Sequence, residues 1–344
     1  MSEYTFGIFD HVERTSGSPN LGELFEERLK LVEAYEQAGF SIYHVAEHHA
    51  TPLGMAPSPN VYLSAVAQRT RRMRFGPLTY LLPFYNIIRL AEEICMLDHL
   101  SHGRLEVGVG RGVSPFEQGI HRIPYYESRA RYAEALQVLM GALSGKPMTF
   151  HGQYYNYDNV PAEMEPLQKP HPPLWYGINS DDSSTYAAEH GMNAVSLGPN
   201  ALVKRVTEVY HEKFKPGFGG PSPKVGAARQ IYIADSDKEA DTIARASFEV
   251  FHHNIQKLFL DFGASTTVFP NNYDLFQKSG AFIIGSPGTV RDKVAQFFQE
   301  TGCTYLVLAF AWGNLTADQT MRSLDRFATK VMPEFRGQAA AAGR

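Results

Sequence analysis

Two hydrophobic patterns alternate along most of the chain. Short, nearly continuous apolar runs predict eight β-strands; they cover residues 4–9, 42–46, 74–82, 105–109, 174–177, 193–197, 225–234 and 305–309. Longer segments with apolar residues three and four apart predict helices; they cover residues 21–38, 59–70, 87–100, 129–143, 183–190, 201–214, 238–262, 289–301 and 318–331. In the first of these helices Phe25, Leu29 and Val32 share one face, and Gly39 stands where helices commonly end.

This alternation of strand and helix predicts the fold class. Eight β/α units spread over the chain favour an α/β fold that closes into a (β/α)8 TIM barrel with loop insertions; the alternative is an open, doubly wound sheet. We expect a single domain over residues 1–336 and a frayed Ala/Gly tail over residues 337–344. Three stretches without periodicity, residues 145–173, 215–224 and 263–285, are expected to be loops or insertions.

Composition and charge narrow the function classes. The 344 residues are 44% hydrophobic and carry a formal net charge of −4. This charge disfavours nucleic acid and anionic membranes as partners, because both need a basic surface. No apolar run is long enough for a transmembrane helix, and the first residues lack the regions of a signal peptide. Cys95 and Cys303 form neither a disulfide framework nor a zinc motif, so we expect free thiols in a reducing cytoplasm.

Candidate catalytic residues follow the second predicted strand. Ligands of parallel α/β proteins bind at the C-terminal ends of the strands, and Glu47, His48 and His49 stand at such an end. Neighbouring side chains point in different directions and a third ligand at helical spacing is missing, so we expect no metal site. Because the pKa of histidine lies near neutral pH, His48 suits acid–base catalysis. The alternative is a structural, hydrogen-bonded histidine.

Two further motifs suggest anion binding. Residues 108–112 (GVGRG) do not match the dinucleotide fingerprint, because Val113 stands at its third glycine position. Arg111 within them either grips a phosphate or pairs with a surface carboxylate. Residues 179–185, rich in serine and aspartate, open the helix after the fifth strand and indicate either an ordinary N-cap or a phosphate site. Their two aspartates disfavour a bound anion unless they point away.

Taken in order, these segments resemble the bacterial luciferase-like, flavin-dependent monooxygenase family. The order and spacing of several short motifs carry the resemblance, and no one of them is decisive. The motifs are residues 46–49 (AEHH), 81–83 (LLP), 89–93 (RLAEE), 97–105 (LDHLSHGRL), 108–112 (GVGRG), 284–290 (IGSPGTV) and 331–333 (VMP).

The resemblance implies a (β/α)8 barrel that binds FMN at its C-terminal mouth. Arg111 and Arg129 would bind the FMN phosphate, and Ser180 and Ser183 at the helix start would complete that site. His48 aligns with the catalytic histidine of the family.

The resemblance also places residues against the flavin ring. Leu78 and Thr79 fall where the family has a cis peptide bond, and Gly110 would let the backbone approach the ring. Luciferase itself carries a reactive cysteine at the position of Gly110. Its absence here means that the resemblance gives little support for light emission. Residues 263–280 match the region of luciferase that forms a mobile lid.

The implied activity is that of an FMN-dependent monooxygenase. Reduced FMN, supplied by a separate flavin reductase, would react with O2 to a flavin hydroperoxide or peroxide that oxygenates a small organic substrate. Phe6, Tyr80, Trp175 and Trp312 lie in or just after predicted strands. They are either barrel core or, where they reach the mouth, a sign of an apolar substrate.

Assembly and chemistry have alternatives. We expect a homodimer, as is common among relatives, without the heterodimeric partner of luciferase. The rival functions are a deazaflavin-dependent oxidoreductase of the same superfamily, which transfers hydride without O2, and a catalytically silent flavin-binding protein.

Overall fold

The computed structural model describes residues 4–220, 223–259 and 270–336. The strands are β1 Thr5–Asp10, β2 Ile42–Val45, β3 Arg74–Pro77, β4 Tyr80–Leu81, β5 Val107–Gly110, β6 Met148–His151, β7 Asn156–Val160, β8 Leu174–Gly177, β9 Asn193–Ser196, β10 Val225–Ile233, β11 Phe282–Gly285 and β12 Tyr305–Ala309. The helices are α1 Leu21–Ala38, α2 Pro59–Arg69, α3 Ile87–Leu100, α4 Pro115–Ile120, α5 Ser128–Ala142, α6 Asp181–Glu189, α7 Asn200–Lys213, α8 Asp237–Gln256, α9 Tyr273–Lys278, α10 Pro287–Thr301 and α11 Ala317–Lys330. The predicted tail, residues 337–344, lies outside the described residues.

The main sheet curls into a parallel barrel. Its strand order is β3-β2-β1-β12-β10-β9-β8-β5-β4, with β11 paired to β10. A bridge between Phe75 and Leu105 joins β3 to the segment before β5 and so links the two ends of the sheet. The prediction of a TIM-type barrel is therefore confirmed. Because the strands run parallel, their C-terminal ends open on one common face.

Apolar burial holds the barrel together. Inside the sheet, Trp175 and Tyr305 pack against each other with ring centroids 5.2 Å apart, and both are fully buried. Outside it, helix residues such as Val32, Leu90 and Val203 are also fully buried. Each such side chain contributes about 1.5–3 kcal/mol relative to an exposed one. The described residues contain no helix that is both long and apolar enough to cross a membrane.

Three predicted elements need correction. The strand predicted over residues 74–82 is split into β3 and β4 by the peptide bond between Leu78 and Thr79, which is cis. The insertion predicted over residues 263–285 ends in β11, a fully buried parallel strand. This strand was not predicted, because a run of four residues after a stretch without periodicity gives a weak strand signal. Helix α8 ends at Gln256 rather than at residue 262.

Two of the predicted loops or insertions contain some regular structure. The stretch at residues 145–173 holds the antiparallel pair β6–β7. Within the predicted lid, residues 263–269 lie outside the described residues, and the remainder contains α9.

Gly108 lets the backbones of β5 and β3 approach each other closely. A Cβ added to Gly108 would lie 2.3 Å from the carbonyl oxygen of Pro77 and 3.1 Å from Cα of Leu78, both backbone atoms with little freedom to move. We expect Gly108→Ala to lower the free energy of unfolding by about 1–3 kcal/mol, as overpacking does. Urea denaturation measures this. Gly177→Ala on β8 is the matched control, because a Cβ there meets no atom within 4 Å; equal losses in both variants would contradict the steric explanation.

Candidate active site

The residues predicted for the site lie on the face where the barrel strands end. His48 follows β2, Thr79 lies between β3 and β4, and Arg111 follows β5. Ser180 follows β8. The barrel geometry thus gathers segments that are far apart in sequence.

His48 is hydrogen-bonded to a buried carboxylate. Its Nδ1 lies 3.1 Å from Oε1 of Glu117, and the same oxygen accepts the backbone N–H of His49 at 2.8 Å. Glu117 is almost fully buried, whereas the side chain of His48 keeps 19% of its surface exposed. The imidazole is therefore held through Nδ1 and remains partly exposed.

His49 belongs to a separate cluster. Its Nε2 lies 2.9 Å from Oε1 of Glu47, whose Oε2 accepts the hydroxyl of Tyr85 at 2.7 Å and the N–H of Leu81 at 3.2 Å. Burial acts to lower the pKa of His49, but the hydrogen bond and the charge of Glu47 outweigh it and raise this pKa. The side chains of the two neighbouring histidines thus bond to two different carboxylates.

His11, at the end of β1, stacks on His48. The two imidazole rings are nearly parallel, with centroids 5.7 Å apart. Burial, together with the charges of His48 and Arg28, lowers the pKa of His11 to about 3. A neutral His11 ring therefore faces His48 at neutral pH. Beyond it lie the rings of Phe9 and Phe251, with centroids 4.7 and 6.1 Å from that of His11.

Arg111 and Arg129 lie near the same tyrosine. Burial and the neighbouring Tyr186 raise the pKa of Tyr176, and the positive charges of both arginines act against this rise. Nη1 of Arg111 donates to Oγ of Ser128 at 3.1 Å. Across residues 4–220, 223–259 and 270–336 neither guanidinium forms an ion pair with a carboxylate, unlike the surface pairing considered for Arg111. Two cations without a counter-charge are a donor set suited to an anion.

Ser180 and Ser183 form a capping box at the start of α6. Oγ of Ser180 accepts the N–H of Ser183 at 3.2 Å, and Oγ of Ser183 accepts the N–H of Ser180 at 3.0 Å. Both serines therefore take part in the N-cap of α6, which is the alternative role considered for this segment. Asp181 turns away to pair with Arg205 on α7 at 2.5 Å, which removes one of the two carboxylates that disfavoured an anion here.

The segment between β3 and β4 packs tightly on β5. The bond between Leu78 and Thr79 is cis, as the family resemblance implied. A Cβ added to Gly110 would lie 2.4 Å from Oγ1 and 3.3 Å from Cβ of Thr79, so a larger residue here would require the Thr79 side chain to shift.

The four aromatic residues considered for the mouth belong to the core. Phe6, Tyr80, Trp175 and Trp312 are all buried. Nε1 of Trp175 donates to Oε2 of Glu106 inside the barrel, and Nε1 of Trp312 donates to the carbonyl of Ile231. These residues therefore do not indicate the character of a substrate.

Sequence reasoning missed two residues of this site. Glu117 lies on the short helix α4, which was not predicted, although Ser114 three residues earlier gives the pattern of a helix N-cap. His11 directly follows β1, and the position after a strand end could have indicated it. Among the described residues no group of three potential ligands could hold a metal ion, and both cysteines are buried and free.

Comparison with known proteins identifies the family. The model of luciferase-like monooxygenases matches residues 4–305. The chain belongs to the luciferase-like monooxygenase family. The predicted family and the predicted enzyme class, a monooxygenase, are confirmed.

Two curated relatives illustrate the range of similarity within the family. The uncharacterized protein y4wF of Sinorhizobium fredii is 36% identical over 335 residues, which is 96% of this chain and 97% of the relative. The oxygenase component of a flavin-dependent trigonelline monooxygenase from Acinetobacter baylyi is 27% identical over 72% of this chain and 70% of the relative.

Solved structures share the fold at lower identity. The oxygenating constituent of 3,6-diketocamphane monooxygenase from Pseudomonas putida, solved in complex with FMN, matches with a TM-score of 0.80 at 23% identity, over 97% of this chain and 99% of that one. A coenzyme F420-dependent tetrahydromethanopterin reductase from Methanopyrus kandleri matches with a TM-score of 0.73 at 19% identity, over 97% and 100%. The fold alone therefore does not separate FMN from a deazaflavin.

Proposed function

We propose that this chain is the oxygenase component of a two-component flavin-dependent monooxygenase. It would take reduced FMN from a flavin reductase and use O2 to oxygenate a small organic substrate. Family membership supports the reaction class, and the relative that is named an oxygenase component supports a separate reductase. The observation that carries the choice of an FMN-like cofactor is the pair Arg111 and Arg129, which lie near Tyr176 and form no ion pair with a carboxylate of the described residues.

The residues present fit a phosphorylated flavin. Arg111 and Arg129 would hold the phosphate through charge-assisted hydrogen bonds, and the start of α6 at Ser180 and Ser183 would add the favourable end of a helix dipole. The packed surface of Leu78, Thr79 and Gly110 would support the flat ring system. When bound, the cofactor supplies two electrons, so that one oxygen atom of O2 enters the substrate and the other leaves as water.

The protein's own residues would orient the reactants and handle protons. His48 is the proposed acid–base residue, because its ring is fixed by Glu117 and remains partly exposed at the mouth. A partly apolar substrate stays a prediction, because the neighbouring rings of His11, Phe9 and Phe251 are themselves buried. A cytoplasmic location and a homodimeric assembly stay predictions.

The function is tested by following oxygen into a product. The purified protein is incubated with FMN, NADH and a generic flavin reductase under oxygen-18, together with a panel of aldehydes, ketones and sulfonates. We expect a product that gains one labelled oxygen atom, detected by mass spectrometry and absent without the protein. Turnover that requires a deazaflavin and proceeds without O2 would instead support the hydride-transferring alternative. Tight flavin binding with no product under any of these conditions is the outcome expected of a silent flavin-binding protein.

A further inference from the structure

We propose that Glu117 is a positioning residue, which holds His48 in the tautomer that carries its hydrogen on Nδ1 and leaves Nε2 free to take up a proton. This inference deepens the proposed function, because it rests on the acid–base role of His48. It assigns a task to a residue on a short helix that lies outside the predicted motifs.

The first argument is the chemistry of the hydrogen bond. Oε1 of Glu117 already accepts the backbone N–H of His49 at 2.8 Å, so this oxygen faces Nδ1 of His48 as an acceptor. A neutral imidazole has one donor and one acceptor nitrogen. With Nδ1 donating, Nε2 must be the acceptor, and in the protonated ring the carboxylate supplies the counter-charge.

The second argument is how the carboxylate is fixed. In a capping box, a glutamate three residues after the N-cap folds back to the N-cap N–H. Ser114 does accept the N–H of Glu117 at 3.2 Å, but the Glu117 side chain is directed to His48 and His49 instead. Ser114 Oγ also donates to the carbonyl of Leu258 at 2.6 Å, and Nε2 of Gln118 donates to the carbonyl of Gly112 at 2.9 Å. These hydrogen bonds of Ser114 and Gln118 hold the first turn of α4, and with it Glu117, in place.

The third argument is the charge environment of His48. Among the described residues, the titratable groups that face it are Glu117 from α4 and His11 from the end of β1, while Glu47 and His49 on its own segment bond to each other. His11 is neutral at neutral pH, because burial above all lowers its pKa to about 3. Glu117 is therefore the facing group that can set the orientation and charge balance of His48.

The test measures the tautomer directly. Nitrogen-15 NMR of histidine-labelled protein without flavin distinguishes the two imidazole nitrogens, with the His48 signals assigned by their loss in His48→Gln. In the wild type we expect the hydrogen of neutral His48 on Nδ1. In Glu117→Leu we expect loss of this preference, and in Glu117→Gln its retention, because the amide oxygen can still accept. The matched control is Glu36→Gln, which alters another carboxylate that accepts backbone N–H groups, those of Arg71, Arg72 and Met73, on the surface.

Activity supplies a second readout. We expect kcat of Glu117→Leu to fall at least about tenfold, with an unchanged Kd for FMN, because a general acid–base residue that is misoriented loses part of its contribution. A wild-type His48 with its hydrogen on Nε2 overturns the inference without any variant, also where Glu117→Leu fails to fold. An unchanged tautomer and kcat in folded Glu117→Leu overturns it as well. If the tautomer is as expected but no protein, wild type included, yields an oxygenated product, the proposed function fails and the positioning by Glu117 stands.

Discussion

Replacing His48 with alanine is expected to lower kcat for the true substrate by about 10²–10⁴-fold, the range typical of a lost general acid or base. The imidazole follows β2, bonds to Glu117 at 3.1 Å and keeps 19% of its side-chain surface exposed. The substitution removes the ring but none of the groups proposed to hold the phosphate. FMN affinity should therefore remain close to that of the wild type.

The measurement compares product formation with reduced FMN supplied in excess, so that reductase activity does not limit the rate. His99→Ala is a suitable control, because His99 is exposed at the end of α3 and bonds only to the carbonyl of Glu165 among its described contacts. Partial recovery of His48→Ala by added imidazole would support a proton-transfer role. Wild-type turnover in His48→Ala would remove this residue from the mechanism.

The regular part of the fold could be predicted from the sequence. Helices α1 and α3 begin and end at the predicted residues, because the apolar stripe is continuous and the ends carry clear signals, Gly39 after α1 and Asn86 as the N-cap of α3. Strand β11 was missed, since four apolar residues after a long stretch without periodicity give little signal. The break after β3 does not appear in the hydrophobic pattern, which continues through Leu78.

Site residues that follow a predicted strand could be predicted from the sequence. Contacts between residues far apart in the chain could not. Arg111 stands directly after β5 and His48 in the short segment after β2, so the sequence indicated both. The contact of His48 with Glu117 joins residues 69 positions apart through a six-residue helix, and hydrophobic periodicity cannot show it. The hydrophobic pattern also could not tell whether Trp175 and Trp312 lie in the core or at the mouth, because an aromatic residue in or just after a strand suits either place. Both are buried in the core.

Replacing Arg111 with alanine is expected to weaken FMN binding selectively at the phosphate. A charge-assisted hydrogen bond contributes about 1.5–3 kcal/mol, so Kd for FMN should rise roughly 10–150-fold. Riboflavin shares the ring system and lacks the phosphate, so its Kd should hardly change. Fluorescence titration of both ligands against wild type and variant measures the difference.

The comparison of the two ligands separates phosphate recognition from general damage to the mouth. Nη1 of Arg111 bonds to Ser128, the first residue of α5, and its guanidinium lies over the ring of Tyr125 at 5.4 Å. Loss of these contacts could shift α5 and with it Arg129, in which case both ligands would bind more weakly. Arg111→Lys keeps a charge but not the planar fork, and should fall between wild type and alanine for FMN alone. Equal losses for FMN and riboflavin in Arg111→Ala would mean that Arg111 supports the structure of the mouth and that the phosphate lies elsewhere.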